Sequence, residues 1–149
     1  MYNFIVKNRP ASFNSWAKNS GKGKAYKSII ETSVTEYVGE HAILTGELYR
    51  IVYHFFNADL SIDADNLSKP VWDCLENYLF KDDSQVKIRV SGNFDLTNNN
   101  YLNLNFSRLD KEIIDDLYEA FDTVEHIIYI ECGSLDYSMY NFNIERNGI

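Results

Sequence analysis

The chain is poor in cysteine and in positive charge, and it has no long apolar run. Cys74 and Cys132 lie far apart with no paired spacing, which excludes a disulfide framework and offers no zinc-ligand pattern. Both read as small core residues in a reducing compartment. No apolar stretch approaches the roughly 20 residues needed to span a bilayer. The opening "MYNFIVKNRP" lacks the basic start, apolar centre and cleavage site of a secretory leader. The expectation is a cytoplasmic protein with no membrane partner. The three histidines, His41, His54 and His126, are scattered over separate segments and form no catalytic pattern, so each is read as structural. Lys and Arg number 14 against 22 Asp and Glu, a net charge of −8 that at first argues against a nucleic-acid partner.

The residues that are present argue for a packed globular protein. Hydrophobic residues make up 45% and aromatics 15% of a 149-residue chain, which suits one domain over residues 1–149 and excludes disorder. No internal repeat or domain linker interrupts it. The charge is unevenly placed. Residues 7–27 hold Lys7, Arg9, Lys18, Lys22, Lys24 and Lys27 with no acid, a local +6 that leaves −14 on the rest of the chain. Such a basic segment serves either as a nucleic-acid arm or as an ordinary solvated loop.

Periodicity gives the elements. "YNFIVKN" reads as a strand and "RPASFNSWAKNSGKGKA" as a long basic loop. Ile29, Ile30, Val34, Tyr37 and Val38 fall at helical spacing from Tyr26 to about Val38, ending at Gly39. "ELYRIVYHFF" is nearly continuously apolar and predicts a central strand. Val71, Trp72, Leu75, Tyr78 and Leu79 predict an amphipathic helix over 67–79, with Pro70 in its first turn and Asp65 or Asn66 as cap. "SQVKIRVSG" and "YLNLNF" alternate about "DLTNNN" as a hairpin. A helix over about 110–122 and two closing strands, "HIIYIEC" and "MYNFNI", complete the chain. The order predicts an α+β fold, a mostly antiparallel mixed sheet with two to three helices.

The chemistry is concentrated in "DADNLSKP", Asp63 to Pro70, and "DDSQV", Asp82 to Val86. Asp63 and Asp65 follow a strand, and if the extended conformation continues, both carboxylates point to one side. They also precede a helix, whose free N–H groups favour anionic ligands. Hard oxygen ligands without nearby Cys or His favour Mg²⁺ or Mn²⁺, the ligand set of a phosphodiester-cleaving site. A calcium loop is excluded, because counting from Asp63 puts Leu67, Ser68 and Cys74 where an oxygen ligand, a glycine and a glutamate are required. The same residues also fit a simpler arrangement: a capping Asp among solvated acids, with Lys69 paired to Asp73 one turn on.

The joint pattern, "DADNLSKPVWDCL" followed by "KDDSQV", resembles the signature of the RusA family of Holliday junction resolvases. "RPASFNSW" is similar to the family's approach to its basic loop, and "GKAYKS" to the start of its first helix, so the resemblance covers about residues 8–93. It implies that Asp63, Asp65 and Asp83 bind metal and that Lys69 is the essential lysine; the chemistry of the pair makes Asp82 a spare or outer ligand. The resemblance implies a homodimeric, magnesium-dependent endonuclease, bacterial or phage-encoded, acting on branched DNA with four-way junctions. Lys18, Lys22, Lys24, Lys27 and Asn14 then become DNA-contact candidates, with Trp16 and Phe13 as stacking or wedge groups, although core packing is the default reading of Phe13. Residues 107–149 lie outside the resemblance, as an acidic C-terminal extension of the same domain carrying −8 from Asp110 onward.

A 13-residue helix is about 20 Å long, so Asp63 and Asp65 before it and Asp82 and Asp83 after it should lie apart in one chain. Two such helices packed antiparallel about a twofold axis would join the acids of one chain to those of its partner, making two composite sites. Two other functions fit the composition. One is an inactive relative that binds DNA or a partner protein; the other is an acidic mimic of DNA that occupies a nuclease or repressor.

Overall fold

The structure is a computed structural model of the chain and describes residues 1–12, 20–97, 107–136 and 138. Four strands form one sheet: β1 (Tyr2–Val6), β2 (Leu48–Phe56), β3 (Val86–Asp95) and β4 (His126–Ser134), in the order β1-β4-β2-β3. β4 pairs antiparallel with β1 and with β2, while β3 runs parallel to β2. A parallel pair needs a long crossover, and the helix between β2 and β3 supplies it. The "YLNLNF" segment expected to pair with β3, and the "MYNFNI" segment, lie outside the described residues.

Helix α1 (Gly21–Tyr37) begins five residues before the sequence expectation. Ser20 caps it, its hydroxyl accepting the Gly23 N–H at 3.0 Å, so the glycine-lysine stretch that reads as loop is the first helical turn. Gly39, at φ +71°, closes the helix, and its N–H donates to the Val34 carbonyl. Helix α2 (Ala64–Leu75) lies three to four residues earlier than expected at both ends. Pro70 is therefore interior, not in the first turn, and leaves the Asn66 carbonyl without its usual donor. Glu76 ends the helix as its C-cap, extended at φ −61° and ψ 133°, and Asn77 follows at φ +65°, a left-handed conformation that asparagine tolerates better than most side chains, so the helical run stops before Leu79. Helix α3 spans Lys111–Thr123.

α1 and α2 cover one face of the sheet with a core that includes Phe4, Ile30, Val34, Val52, Val71, Trp72, Leu75 and Ile130. α3 covers the other with Ile113, Leu117 and Ala120 against Ile5, Phe55 and Ile127. Cys74 and Cys132 are buried and are not joined in a disulfide, as expected. β4, from the chain's acidic end, sits between β1 and β2 and is buried from His126 to Gly133. Among the described residues no helix is long and apolar enough to cross a membrane.

Candidate functional site

The approach to α2 is pinned from several sides. After β2, the Asn57 side chain donates to the Phe121 and Val124 carbonyls at 3.2 and 3.1 Å. Asp59 then accepts the Ser61 N–H at 2.8 Å, stabilising Ser61 at φ +53°. The Ile62 carbonyl accepts from the Asn93 side chain on β3 at 3.1 Å. Asp63 follows as the N-cap of α2, in extended conformation, but its carboxylate makes no capping hydrogen bond. Because the helix starts at Ala64, strand alternation does not govern Asp63 and Asp65; they are the cap and a first-turn residue. The cap is thus Asp63, not Asp65 or Asn66. Both acids are exposed, and among the described residues neither carboxylate has a hydrogen-bond or ion-pair partner. Their oxygens stay available beside the positive end of the helix dipole, a donor set that fits a hard divalent cation.

Lys69, one turn beyond Asp65, pairs with Asp73 one turn further on. Lys69 is 40% exposed, and a lysine preceding its acid is the weaker orientation on a helix. Such a pair contributes at most about 1 kcal/mol, so the ammonium can exchange Asp73 for a phosphate at small cost.

The second acidic pair is already engaged. Asp82 caps a 3-10 turn, Asp83–Gln85, by accepting the Ser84 N–H at 2.8 Å. The Ser84 backbone N–H and hydroxyl hold the Asp82 carboxyl below the usual carboxylate range. The Gln85 side chain accepts the Lys81 and Asp82 N–H groups and donates to the Leu44 and Gly46 carbonyls, tying two loops together. Asp83 accepts from Arg50 Nη1 at 3.1 Å and from Arg89 Nη2 at 3.0 Å. Arg50 is 4% exposed, and its guanidinium lies over the Trp72 ring, 4.7 Å from the centroid. Burial, then the like charge of Arg89, pull its pKa down to about 10, while Asp83 pulls the other way. Its Nε has no partner among the described residues. The sequence reading missed Arg50; the signal available was a single arginine inside an apolar strand, which must find an anion once buried.

One chain keeps the two acidic pairs apart. α2 has 12 residues and is therefore about 18 Å long. On β3, Arg89 reaches Asp83 while Asn93 reaches the Ile62 carbonyl; four residues of strand separate those positions by about 13 Å. Among the described residues no three His, Cys, Asp or Glu side chains converge as a metal site.

Of the basic arm, Lys22 and Lys24 project from the first turns of α1 into solvent, and Lys27 pairs with Glu31 at 3.7 Å. Phe13, Asn14, Trp16 and Lys18 lie outside the described residues. A cavity of about 530 Å³ is lined by Arg9, Lys22, Tyr26, Ile29 and Ile62 among others, which brings the arm beside the residue preceding Asp63. The acidic helix α3 packs on the opposite face of the sheet from α1 and α2, so its charge is turned away from α2.

No curated protein matches the chain. The model of the family described as Endodeoxyribonuclease RusA matches residues 5–100, more than half of the sequence, taking in both acidic pairs, Lys69, the end of β1 and all of α1, β2, α2 and β3. The family's sequence pattern therefore runs through the elements that carry both acidic pairs and the arm, and the chain belongs to the RusA endodeoxyribonuclease family.

Proposed function

We propose that the protein is a cytoplasmic, magnesium-dependent endonuclease that resolves four-way DNA junctions by paired nicks, acting as a homodimer. The observation that carries this reading is the pair of exposed carboxylates, Asp63 and Asp65, without partners among the described residues, at the start of α2, beside a cavity lined by Arg9 and Lys22. Family membership supports the reaction class. The residues fit Mg²⁺ or Mn²⁺, with Asp63 and Asp65 as direct ligands and Asp83 of the partner chain completing the set. Such an ion would lower the pKa of a bound water and neutralise charge at the phosphate.

The chain's own groups do the rest. Lys69 releases Asp73 and holds the scissile phosphate in line for attack, stabilising the charge that develops on it. Arg9, Lys22 and Lys24 hold the flanking backbone. Asp82 keeps its capping role, which leaves it as an outer ligand at most. Asp83 must exchange at least one arginine for the ion, and Arg89, 48% exposed, is the one free to leave.

The test uses end-labelled four-way junction, fork and plain duplex, with and without Mg²⁺, beside the Asp65→Asn variant. Paired, symmetric, Mg²⁺-dependent nicks in the junction, lost in Asp65→Asn with junction binding retained, are expected. Cleavage by the variant at the parent rate removes the assignment. The engagement of Asp83 by two arginines favours a second reading, a junction-binding relative whose acids no longer hold metal; carboxylate-dependent Mn²⁺ uptake in calorimetry rules it out.

A further inference from the structure

Two polar residues that touch neither acid reach the backbone immediately before the first acidic pair. β2 and β3 pair with His54 opposite Asn93. On the same face, Asn93 Oδ1 lies 2.7 Å from His54 Nδ1, and His54 Nε2 lies 3.2 Å from His126 Nδ1 on β4. Asn93 Nδ2 donates to the Ile62 carbonyl at 3.1 Å. These contacts fix every proton. Since the Asn93 amide spends its N–H on Ile62, its oxygen must accept, so His54 carries its proton on Nδ1. His54 Nε2 is then an acceptor and takes the proton that His126 holds on Nδ1. Three donors in series therefore run from β4 across β2 and β3 to the carbonyl immediately before Asp63.

The chain of donors is buried where it crosses the sheet. His54 is 1% and His126 7% exposed, and burial holds His54 neutral, with its pKa down to about 4. Placing two imidazoles there instead of apolar side chains costs stability unless each polar atom is used, and the use they have is a tether on a strained loop. Ser61 stands at φ +53°, a position unfavourable for a residue with a side chain. Asp59 supports that turn from one side and Asn93 from the other.

The geometry points to Asn93 and His54 as positioning residues for the Asp63 and Asp65 carboxylates, setting divalent-cation affinity and turnover while touching neither ion nor DNA, with His126 fixing the tautomer of His54. This rests on the nuclease reading above, but its first readout does not need cleavage. Asn93 is exposed at β3, so the isosteric Asn93→Leu chain is expected to fold. His54→Leu removes the relay, whereas His54→Asn keeps a donor where Nδ1 stood.

The experiment measures Mn²⁺ binding to the full chain by calorimetry without DNA, then kcat and KM on a four-way junction. Asn93→Leu and His54→Leu are expected to weaken Mn²⁺ binding and lower kcat by about 10–100-fold, with KM for the junction within about twofold of the parent and His54→Asn recovering most of the loss. A purely structural role would lower the unfolding midpoint and leave Mn²⁺ affinity and kcat at parent values, and that result overturns the inference. If the parent binds Mn²⁺ without cutting any DNA, the nuclease reading falls; weaker Mn²⁺ binding by Asn93→Leu then upholds the positioning role alone.

Discussion

At the residue scale the four aspartates of the two motifs differ in what neutralises them, and stability measurements can separate them. Asp65 has no partner among the described residues, so Asp65→Asn should shift unfolding free energy by no more than about 0.5 kcal/mol. Asp83 balances the buried Arg50, so Asp83→Asn strands part of a buried charge. A fully buried pair broken this way costs about 3–5 kcal/mol; Asp83 is 37% exposed, and solvent screening brings the expected loss to about 1–3 kcal/mol. Urea unfolding of both variants checks the ordering, and equal losses would contradict it. A second residue-scale prediction concerns pH. His54 is held neutral by burial, its pKa near 4 against an ordinary 6.5, and His126 is lowered for the same first reason. Between those values the unfolded chain binds the proton and the folded chain does not, so the stabilisation is complete above about pH 6.5 and is lost as pH falls toward 4. His54 alone contributes a slope of up to roughly 1.4 kcal/mol per pH unit. Urea midpoints from pH 7.5 to 4.5 should show it, and His54→Asn should flatten it. The two buried cysteines and the exposed acids were legible from residue type alone. Arg50 and the histidine relay were not, because their meaning lies in cross-strand pairing that one sequence does not specify.

At the element scale, helix faces were legible and helix ends were not. Val71, Trp72 and Leu75 share the buried face expected of them, since a 3.6-residue period survives any error in the boundary. The ends depend on single backbone dihedrals and caps. α2 begins at Ala64 because Asp63 takes the extended cap conformation, and it stops where Glu76 turns extended ahead of the left-handed Asn77; neither is encoded by hydrophobic spacing. The end of α1 is the exception, because Gly39 was readable as a terminator. A methyl group at Gly39 would meet nothing within 4 Å, but the residue sits at φ +71°, so Gly39→Ala isolates backbone strain from packing. The expected loss is about 1 kcal/mol, read as a lower urea midpoint with junction cleavage unchanged. A loss near zero would mean that the helix frays back without penalty and that Gly39 does not terminate it.

At the scale of the whole molecule, two features bear on a DNA substrate: where the charge sits and how far apart the acids are. The acidic helix α3 lies across the sheet from α2, so its share of the net charge of −8 does not face Asp63 and Asp65. The separation of the two acidic pairs followed from helix length, although the helix itself is shifted. It has a consequence specific to a dimer. If each site joins Asp65 of one protomer to Asp83 of its partner, a heterodimer of Asp65→Asn and Asp83→Asn chains holds one site with both defects and one with none. If each site is built within a single chain, every site in that heterodimer carries one defect. The two variants, each inactive alone, are therefore expected to recover nicking when mixed and allowed to exchange subunits. Random exchange makes half the dimers mixed, and each of these has one of two sites intact, so recovery should approach roughly a quarter of the parent site count. The products should be single nicks in one strand of the junction, because an intact partner site for the second cut is missing. Exchange verified by mass-tagged subunits, with cleavage still absent, would place Asp65 and Asp83 of the same chain in one site.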